Sequence, residues 1–375
     1  MNYKHQLYHH TSELPSNWDS IAKTSIFLQK DYLEALESST PLNVRHRFVG
    51  IFQNEQMLAV GLLQLIDLNQ LHTFGVRDHG LKIMLRNFLF KNFAGKLLIL
   101  GNNMLTGQHA IAFAPESKPS EVLSYIKSLV MSEFEGQHIH ILKDFPHEEI
   151  IYFQQPIFEK SLQFTSQPSM CFNSQEGWTK EQDYVHALSK KYRDQYKRAR
   201  KKSLGVEKRQ LDLREIIALE TRIYELYLHV AENAPFNTFL LAKNHFSCMK
   251  EKMGESFRFF AYFEQGQLIG FNTLFQHEDL LETYFLGYDP KVQKEKMLYL
   301  NMLYDMVGCA IVNGFKKINF GRTAMEIKSS IGAQPEKMYG FMEHQAPWIN
   351  RHLARIFRLL EPEVTWIQRH PFKEN

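Results

Sequence analysis

Glu282 is an acidic residue in the middle of an apolar, β-rich run, Leu280-Leu-Glu-Thr-Tyr-Phe285. The two-residue period of a strand places Glu282 and Tyr284 on the same face of a sheet. Burial of an unpaired carboxylate is costly and raises its pKa, so a glutamate here is suited to act as a general base. The alternative is an edge-strand glutamate that points to solvent. We predict that Glu282 is catalytic and that Tyr284 binds substrate.

Five further residues downstream and upstream of this strand could take part in the chemistry. Tyr299 lies early in the next predicted helix, where its hydroxyl could protonate a leaving group, and we predict it as catalytic. Arg322, Glu326 and Lys328 follow the end of the last predicted strand, where cations could hold a phosphate or a carboxylate. Asn237 is a substrate contact or an Asx-turn residue. The alternative for Tyr299 is a tyrosine of the core, and the alternative for the three charged residues is a solvated loop with surface ion pairs. We predict that Arg322, Glu326, Lys328 and Asn237 bind substrate.

The segment from Lys190 to Lys202 contains eight Lys or Arg residues in thirteen positions, with Asp194 as its one acid. Tyr192 and Tyr196 are spaced by four, which predicts an amphipathic helix with an apolar seam. Such a helix could bind the phosphates of a tRNA or a carrier protein, or anionic lipid headgroups. A solvated charged face is the alternative. The positions that we predict to bind phosphate or a partner are Lys190, Lys191, Arg193 and Arg200.

The chain has 375 residues, of which 44% are hydrophobic and 13% aromatic, and this predicts globular domains rather than disorder. The formal net charge of +3 predicts no general affinity for DNA. Cys171, Cys248 and Cys309 form no Cys-x-x-Cys pair, so we predict neither a disulfide framework nor a metal site. No signal peptide and no apolar run of about 18 residues is visible. We therefore predict a cytoplasmic protein, at most peripheral at the inner face of the membrane.

The predicted elements follow the order helix, antiparallel strands, helix and strand in each half of the chain. This mixed α/β order differs from the strict alternation of a doubly wound fold. The polar segment from Phe164 to Lys180 has no clear period and is interpreted as the crossing between the halves. The halves share an element order without evident sequence identity.

Three stretches together resemble the tandem-GNAT, Fem-like acyltransferases, which include peptidoglycan-type aminoacyltransferases and a wider bacterial set of N-acyltransferases. They are the basic segment Leu188–Lys202, the motif Tyr284–Asp289 with its following apolar helix, and Phe320–Ala333, which resembles the family's strand-end pattern of Gly-Arg, Lys and Gly. The opening from Trp18 to Leu63 is also similar. The resemblance covers most of the chain, and the order of the motifs is more specific than any one of them.

The resemblance implies two GNAT-like domains in tandem, each a mostly antiparallel twisted sheet flanked by helices. Residues 1–175 are expected to form a degenerate first domain, and residues 176–375 a second domain that carries the active site. One departure concerns the donor. GNAT enzymes usually follow the central strand with a glycine-rich loop that cradles the coenzyme A pyrophosphate, whereas Lys291–Tyr299 contains no glycine. A larger donor is therefore favoured: a carrier protein, a long acyl-CoA or an aminoacyl-tRNA.

The function that these observations favour is N-acylation. The donor would be a fatty acyl thioester of coenzyme A or acyl-carrier protein, and the acceptor an amine such as an amino lipid or a sphingoid-type base. One alternative is an aminoacyl-tRNA-dependent Fem-type ligase, although no heptad run between Leu211 and Phe257 predicts the coiled-coil arm common in those enzymes. Another is a non-catalytic, GNAT-like binding module.

Overall fold

The computed structural model describes residues 3–70, 95–107, 109–134, 136–165, 167–233, 237–355 and 366–373. The strands, numbered in chain order, are β1 (Tyr3–Tyr8), β2 (Val44–Gln53), β3 (Gln56–Asp67), β4 (Lys96–Leu100), β5 (Ile111–Phe113), β6 (Ile139–Phe145), β7 (Leu162–Thr165), β8 (Ser169–Asn173), β9 (Val206–Gln210), β10 (Phe257–Glu264), β11 (Gln267–His277), β12 (Leu280–Tyr288), β13 (Lys317–Asn319), β14 (Gln334–Glu336) and β15 (Tyr339–His344).

The helices of the described residues are numbered in the same way. They are α1 (Trp18–Ala22), α2 (Lys30–Ser38), α3 (Pro119–Glu133), α4 (Glu181–Ala187), α5 (Lys190–Lys202), α6 (Leu213–Ala218), α7 (Glu220–Ala231), α8 (His245–Met253), α9 (Pro290–Lys296), α10 (Leu298–Val312), α11 (Met325–Ser329) and α12 (Pro347–Asn350). No helix in these described ranges has the length and apolar character needed to cross a membrane.

The chain forms two compact units, and each is assembled from three segments rather than from one continuous half. The first unit comprises Met1–Ser166, Pro235–His245 and Lys337–Glu363. The second comprises Gln167–Ala234, Phe246–Glu336 and Val364–Asn375. The division at residue 175 expected from the sequence therefore lies near the first crossing of the chain. The later return of the chain to the first unit was not predicted.

Each unit contains its own sheet, and the two sheets have the same pattern of strand directions. The strand order is β1-β2-β3-β4-β6-β15-β7 in the first unit, with β5 added to β3, and β9-β10-β11-β12-β13-β8-β14 in the second. One neighbouring pair in each order is parallel, β4 with β6 and β12 with β13, and the other pairs along both orders are antiparallel. The structure thus confirms the mixed α/β class and shows that one pattern of strand directions occurs twice.

Helix α10 fills one face of the second sheet. Its sequence, LYLNMLYDMVGCAIV, is apolar on nearly all sides, and most of its side chains are buried because it packs against β12, β13, α4 and α5. On the opposite face α7 packs against β12. A Cβ atom on Gly287 would lie 2.5 Å from the backbone of Leu226 and 2.6 Å from that of Tyr227. Glycine is therefore required in the motif Tyr284–Asp289 for α7 to approach the strand.

Two helices differ from the pattern that the sequence predicted. The sequence predicts one long helix from Leu213 to Ala231, but the structure divides it into α6 and α7, because Leu219 leaves the helical conformation with φ −100° and ψ 5°. The apolar spacing from Ser25 to Ser38 also predicts a helix, which begins instead at Lys30, after a 3-10 turn at Ile26–Leu28.

Candidate active site

The parallel strands β12 and β13 pair over only three residues each, and β12 continues beyond the end of this pairing. Leu280–Glu282 pairs with Lys317–Asn319, whereas β12 continues to Tyr288. Beyond Glu282 the pairing of β12 with β11 shifts register, so that two residues of β12 lie opposite Thr273. The Thr273 Oγ1 donates a hydrogen bond of 2.6 Å to the Phe285 carbonyl and stabilises this bulge. Glu282 stands where the ladder ends.

The carboxyl group of Glu282 is buried, with 5% of the residue exposed. Because β12 lies between β11 and β13, the alternative of a solvent-facing glutamate on an edge strand is excluded. Burial raises the pKa of Glu282 to about 8, and the negative charge of Glu336 adds to this effect. A hydrogen bond from Asn319 and the positive charge of Lys317 oppose it. A carboxyl with this pKa can exchange a proton with an ammonium group near neutral pH.

The turn after β13 is held by Lys328, which is 4% exposed. Its Nζ donates hydrogen bonds of 2.7, 3.3 and 2.6 Å to the carbonyls of Phe320, Gly321 and Arg322. Burial lowers the pKa of Lys328 to about 7, while three carbonyl acceptors favour the charged ammonium. An ammonium has three donors, and all three are engaged here. Lys328 therefore orders the turn, which differs from the phosphate contact that the sequence led us to expect.

Within this turn Thr323 and Ala324 adopt the left-handed conformation, with φ of 66° and 48°. Two adjacent non-glycine residues in this region are strained, and such strain is concentrated at functional sites. Arg322 is half-buried, and burial lowers its pKa to about 10. Glu326, in contrast, is exposed and forms an ion pair with Arg369. This contact matches the surface ion pair that was the alternative for Glu326.

The two candidate tyrosines occupy different surroundings. Tyr284 is half-buried, and its ring lies 5.0 Å from the ring of Phe275 and 4.5 Å from that of Phe285. Tyr299 is the second residue of α10, and its ring lies 6.2 Å from that of Tyr288. Burial raises the pKa of Tyr299, so its hydroxyl keeps its proton at neutral pH and can donate it.

Asn237 belongs to the segment Pro235–His245 of the first unit, whereas Glu282 belongs to the second. The neighbouring Thr238 is held by the first unit, since its carbonyl accepts a hydrogen bond of 2.8 Å from the Asn43 Nδ2. The predicted substrate contact of Asn237 stays a prediction. Among the residues that the structure describes, no three His, Cys, Asp or Glu side chains could hold a metal ion.

The basic helix α5 exposes most of its cations but not all of them. Six of them are exposed: Lys190, Lys191, Lys197, Arg198, Lys201 and Lys202. Arg193 is half-buried and donates a hydrogen bond of 3.0 Å to the Leu188 carbonyl. The surface formed by the six exposed cations is referred to below as the α5 basic surface.

Arg200 has a structural environment that the sequence did not reveal. Its guanidinium forms ion pairs of 2.5 Å with Glu181 and 2.6 Å with Asp305, and it lies 5.1 Å from the Tyr196 ring. Burial alone lowers the pKa of Arg200, but the two carboxylates raise it overall. Arg200 therefore joins α5 to α4 and α10, and we do not include it in the α5 basic surface.

A family model of the GNAT acetyltransferase domain matches residues 189–329, the stretch that contains α5, β12 and the turn held by Lys328. This stretch is a GNAT domain, and the protein is an acyltransferase. The GNAT domain and the two similar sheets agree with the tandem-GNAT fold that the resemblance implied. No curated protein matches this acyltransferase in sequence.

Solved structures that are similar to the acyltransferase show the same fold over nearly the whole chain. The crystal structure of FemX has a TM-score of 0.53 and 9% identity, and the match covers 95% of this chain and 99% of FemX. A conserved protein of unknown function from Bacteroides thetaiotaomicron has a TM-score of 0.52 and 11% identity, covering 87% of this chain and 96% of its own. At such low identities the likeness concerns the fold alone.

The acyltransferase departs from the usual GNAT arrangement after its central strand. Asp289 accepts a hydrogen bond of 2.9 Å from the Lys291 amide and caps α9. Helix α9 fills Pro290–Lys296, and Met297, with φ 48°, separates it from α10. The sequence without glycine thus forms a helix where GNAT enzymes usually have a phosphate-binding loop. Two residues near Glu282 were not predicted from the sequence: Asn319, which donates a hydrogen bond to Glu282, and Ser169, whose hydroxyl donates to Asn319. Asn319 directly precedes the Phe320-Gly321-Arg322 motif.

Proposed function

We propose that this acyltransferase moves a fatty acyl group from a thioester onto a primary amine, with Glu282 as the general base. The observation that carries the proposal is a buried carboxyl with a pKa near 8 at the point where β12 and β13 separate. An amine acceptor arrives mostly as an ammonium and must lose a proton before it can attack. A base with a pKa close to the working pH suits this transfer.

In the proposed reaction Glu282 accepts a proton from the acceptor ammonium, and the neutral nitrogen attacks the thioester carbonyl carbon. The attack forms the C–N bond; the tetrahedral intermediate then releases its second nitrogen proton to solvent and collapses, so that the C–S bond breaks. The leaving thiolate takes the proton of Tyr299, which solvent then restores. The products are an amide and a free thiol. Arg322 would bind the donor or the acceptor through a phosphate or carboxylate.

The donor is proposed to be a long-chain acyl-CoA or an acyl-carrier protein. Helix α9 supports this, because it replaces the tight loop on which acetyl-CoA binding usually depends. The acceptor is proposed to be an amino lipid or a sphingoid-type base. The half-buried aromatic rings of Tyr284 and Phe285, which follow Glu282 on β12, favour an apolar acceptor over a polar one. The proposed setting is the cytoplasm, with the α5 basic surface at the inner face of the membrane.

The aminoacyl-tRNA-dependent alternative receives less support. The described residues between Leu211 and Phe257 form the three short helices α6, α7 and α8, of which the longest, α7, has 12 residues. None of them is a coiled-coil arm. A non-catalytic module is disfavoured by the desolvated Glu282, because a binding module would gain nothing from a raised carboxyl pKa.

The experiment is a donor and acceptor panel with the purified chain. Palmitoyl-CoA, palmitoyl-carrier protein, acetyl-CoA and lysyl-tRNA are each incubated with sphinganine or with a phosphatidylethanolamine, and products are identified by mass spectrometry. The proposal expects an amide with either palmitoyl thioester. An amide formed only from lysyl-tRNA would transfer the assignment to the alternative ligase.

We predict that Arg322→Ala raises KM by about 10- to 100-fold and lowers kcat by less, because a charge-assisted hydrogen bond contributes about 1.5–3 kcal/mol to binding. The half-buried guanidinium in the turn after β13 motivates this expectation. Arg214→Ala, which removes an exposed arginine of the same unit, is the matched control. A fall in kcat at unchanged KM would assign Arg322 to the chemical step instead.

The α5 basic surface is predicted to bind anionic membranes, and the test uses a variant with four lysines replaced by glutamine. Each cation near an anionic surface contributes about 1 kcal/mol, so the variant should cosediment with phosphatidylserine vesicles much less than the wild type. Moderate salt should weaken the wild-type interaction as well. The replaced residues are Lys190, Lys191, Lys197 and Lys201.

The matched control replaces four exposed lysines of the first unit, which changes the net charge equally. These are Lys4, Lys23, Lys96 and Lys160. Equal loss of binding in both variants would show that total charge, and not the α5 basic surface, controls association. Binding to tRNA without binding to vesicles would contradict the membrane assignment.

A further inference from the structure

Four side chains of the second sheet lie in register on the face opposite α10. Glu282 on β12 is paired with Asn319 on β13, and Asn319 is paired with Cys171 on β8. Ser169 lies two residues before Cys171 on the same face, and both are buried, at 0% and 2% exposure. Asn319 is itself 6% exposed. The pairing therefore connects the proposed base to buried polar groups two strands away.

The oxygen of the Asn319 side-chain amide is occupied by donors other than Glu282. The Oδ1 accepts hydrogen bonds from the Ser169 Oγ and from the Gly321 backbone amide, the latter at 2.9 Å. The Cys171 Sγ lies 3.9 Å from the same oxygen. Reversing the amide would place its two N–H donors against these donors, which is unfavourable in a buried site. The Nδ2 is thus the atom that faces Glu282, to which Asn319 donates its hydrogen bond.

The charges around Glu282 belong to a second and different set of groups. Lys317 and Glu336 form an ion pair of 2.8 Å, with 38% and 37% of their side chains exposed. An exposed pair is screened by salt and adapts to its surroundings. The Cys171 thiol is neutral, because burial raises its pKa to about 12. The Asn319 hydrogen bond, in contrast, is a buried interaction with Glu282 from a neutral donor.

We propose that Asn319 is a positioning residue for Glu282, and that Ser169 together with the Gly321 amide holds Asn319 in the one orientation that donates to the carboxylate. This inference rests on the proposed function only in calling Glu282 a base. Asn319 opposes the effect of burial, so that a useful fraction of Glu282 is ionised near neutral pH. Ser169 affects Glu282 indirectly, through its hydrogen bond to Asn319.

The first test is a direct titration that needs no substrate. The carboxyl C=O stretch of Glu282 is followed by infrared difference spectroscopy against Glu282→Gln, in the otherwise wild-type chain and in Asn319→Ala. The pKa of Glu282 should rise by about one unit in Asn319→Ala, because a hydrogen bond to its charged form is lost. Ser169→Ala keeps Asn319 and should give a smaller rise in the same direction. An unchanged titration in both variants would overturn the proposal.

The second test is the pH profile of kcat/KM with palmitoyl-CoA and sphinganine. Asn319→Ala should lose about tenfold activity at pH 7 and regain most of it above pH 9. Asn272→Ala is the matched control, since Asn272 is also buried in the same sheet but accepts its hydrogen bond from the Tyr262 hydroxyl. A loss of activity at all pH values would contradict the positioning role. A shifted titration in a chain without acyltransferase activity would uphold the inference about Asn319 and reject the proposed function.

Discussion

Glu282→Gln is expected to lower kcat by about 10²- to 10⁴-fold with the fold retained, because a positioned general base contributes about this much to a rate. Gln has nearly the same shape and can still accept the hydrogen bond from Asn319, but it cannot take a proton. Single-turnover kinetics with palmitoyl-CoA and sphinganine measure the effect. Glu278→Gln, at an exposed glutamate before the same strand, is the control and should leave kcat unchanged. A wild-type rate in Glu282→Gln would remove Glu282 from the mechanism.

The same substitution should change how stability depends on pH. The pKa of Glu282 is about 8 in the folded chain and 4.5 as an ordinary value. A group whose pKa is raised by folding contributes stability below its unfolded pKa, and this contribution is lost as pH rises through the folded pKa. The wild type should therefore lose stability between about pH 4.5 and pH 8, and Glu282→Gln should lose less. Urea unfolding at pH 5 and pH 8.5 compares them, and a collapsed melting temperature in the variant would mark Glu282 as structural.

Glu343→Ala is expected to destabilise the first unit by about 3–5 kcal/mol, because it leaves a buried ammonium without its partner. The Lys127 Nζ lies 2.5 Å from the Glu343 Oε2, and their side chains are 5% and 12% exposed. Ser161 donates a further hydrogen bond of 3.1 Å to Glu343. The pair connects α3 to β15, the strand with which the chain returns to the first unit. Urea unfolding followed by tryptophan fluorescence measures the loss.

Two comparisons make the Glu343 prediction specific. The exposed pair Lys118–Glu121 has 62% and 34% of its side chains accessible, and Glu121→Ala should cost less than about 1 kcal/mol. The double substitution Lys127→Met with Glu343→Leu should recover most of the stability, since apolar residues of similar volume can replace a buried ion pair. An effect below about 1 kcal/mol in Glu343→Ala would contradict the buried location of the pair.

The elements with strong local patterns were predictable from the sequence. The basic helix α5 has its predicted bounds, and Glu282 stands on a strand with Tyr284 as expected. The polar residues Gln53 to Gln56 between two β-rich runs predict a hairpin, and β2 and β3 do turn at Asn54 and Glu55, both with positive φ. In each case the signal lies within a dozen neighbouring residues, so no distant partner is needed to recognise it.

The features that depend on distant partners were not predictable. Ser169–Asn173 reads as part of a polar crossing, yet it forms β8, whose partners β13 and β14 lie more than 140 residues further along the chain. Without β8 the orientation of Asn319 cannot be inferred. Arg200 reads as one of eight similar cations, and its ion pairs with Glu181 on α4 and Asp305 on α10 show that it is structural. Lys328 likewise reads as a loop cation until its carbonyl partners are known.

The central claim is that Glu282 is the base of an amine-acylating site, and the pH dependence of single-turnover acylation tests it most directly. With palmitoyl-CoA and sphinganine, the rate should rise tenfold per pH unit and level off near pH 8, the pKa of Glu282. The residual rate of Glu282→Gln should not show this rise with pH. A wild-type rate that does not change between pH 6 and pH 9, or the same rise in Glu282→Gln, would contradict the account.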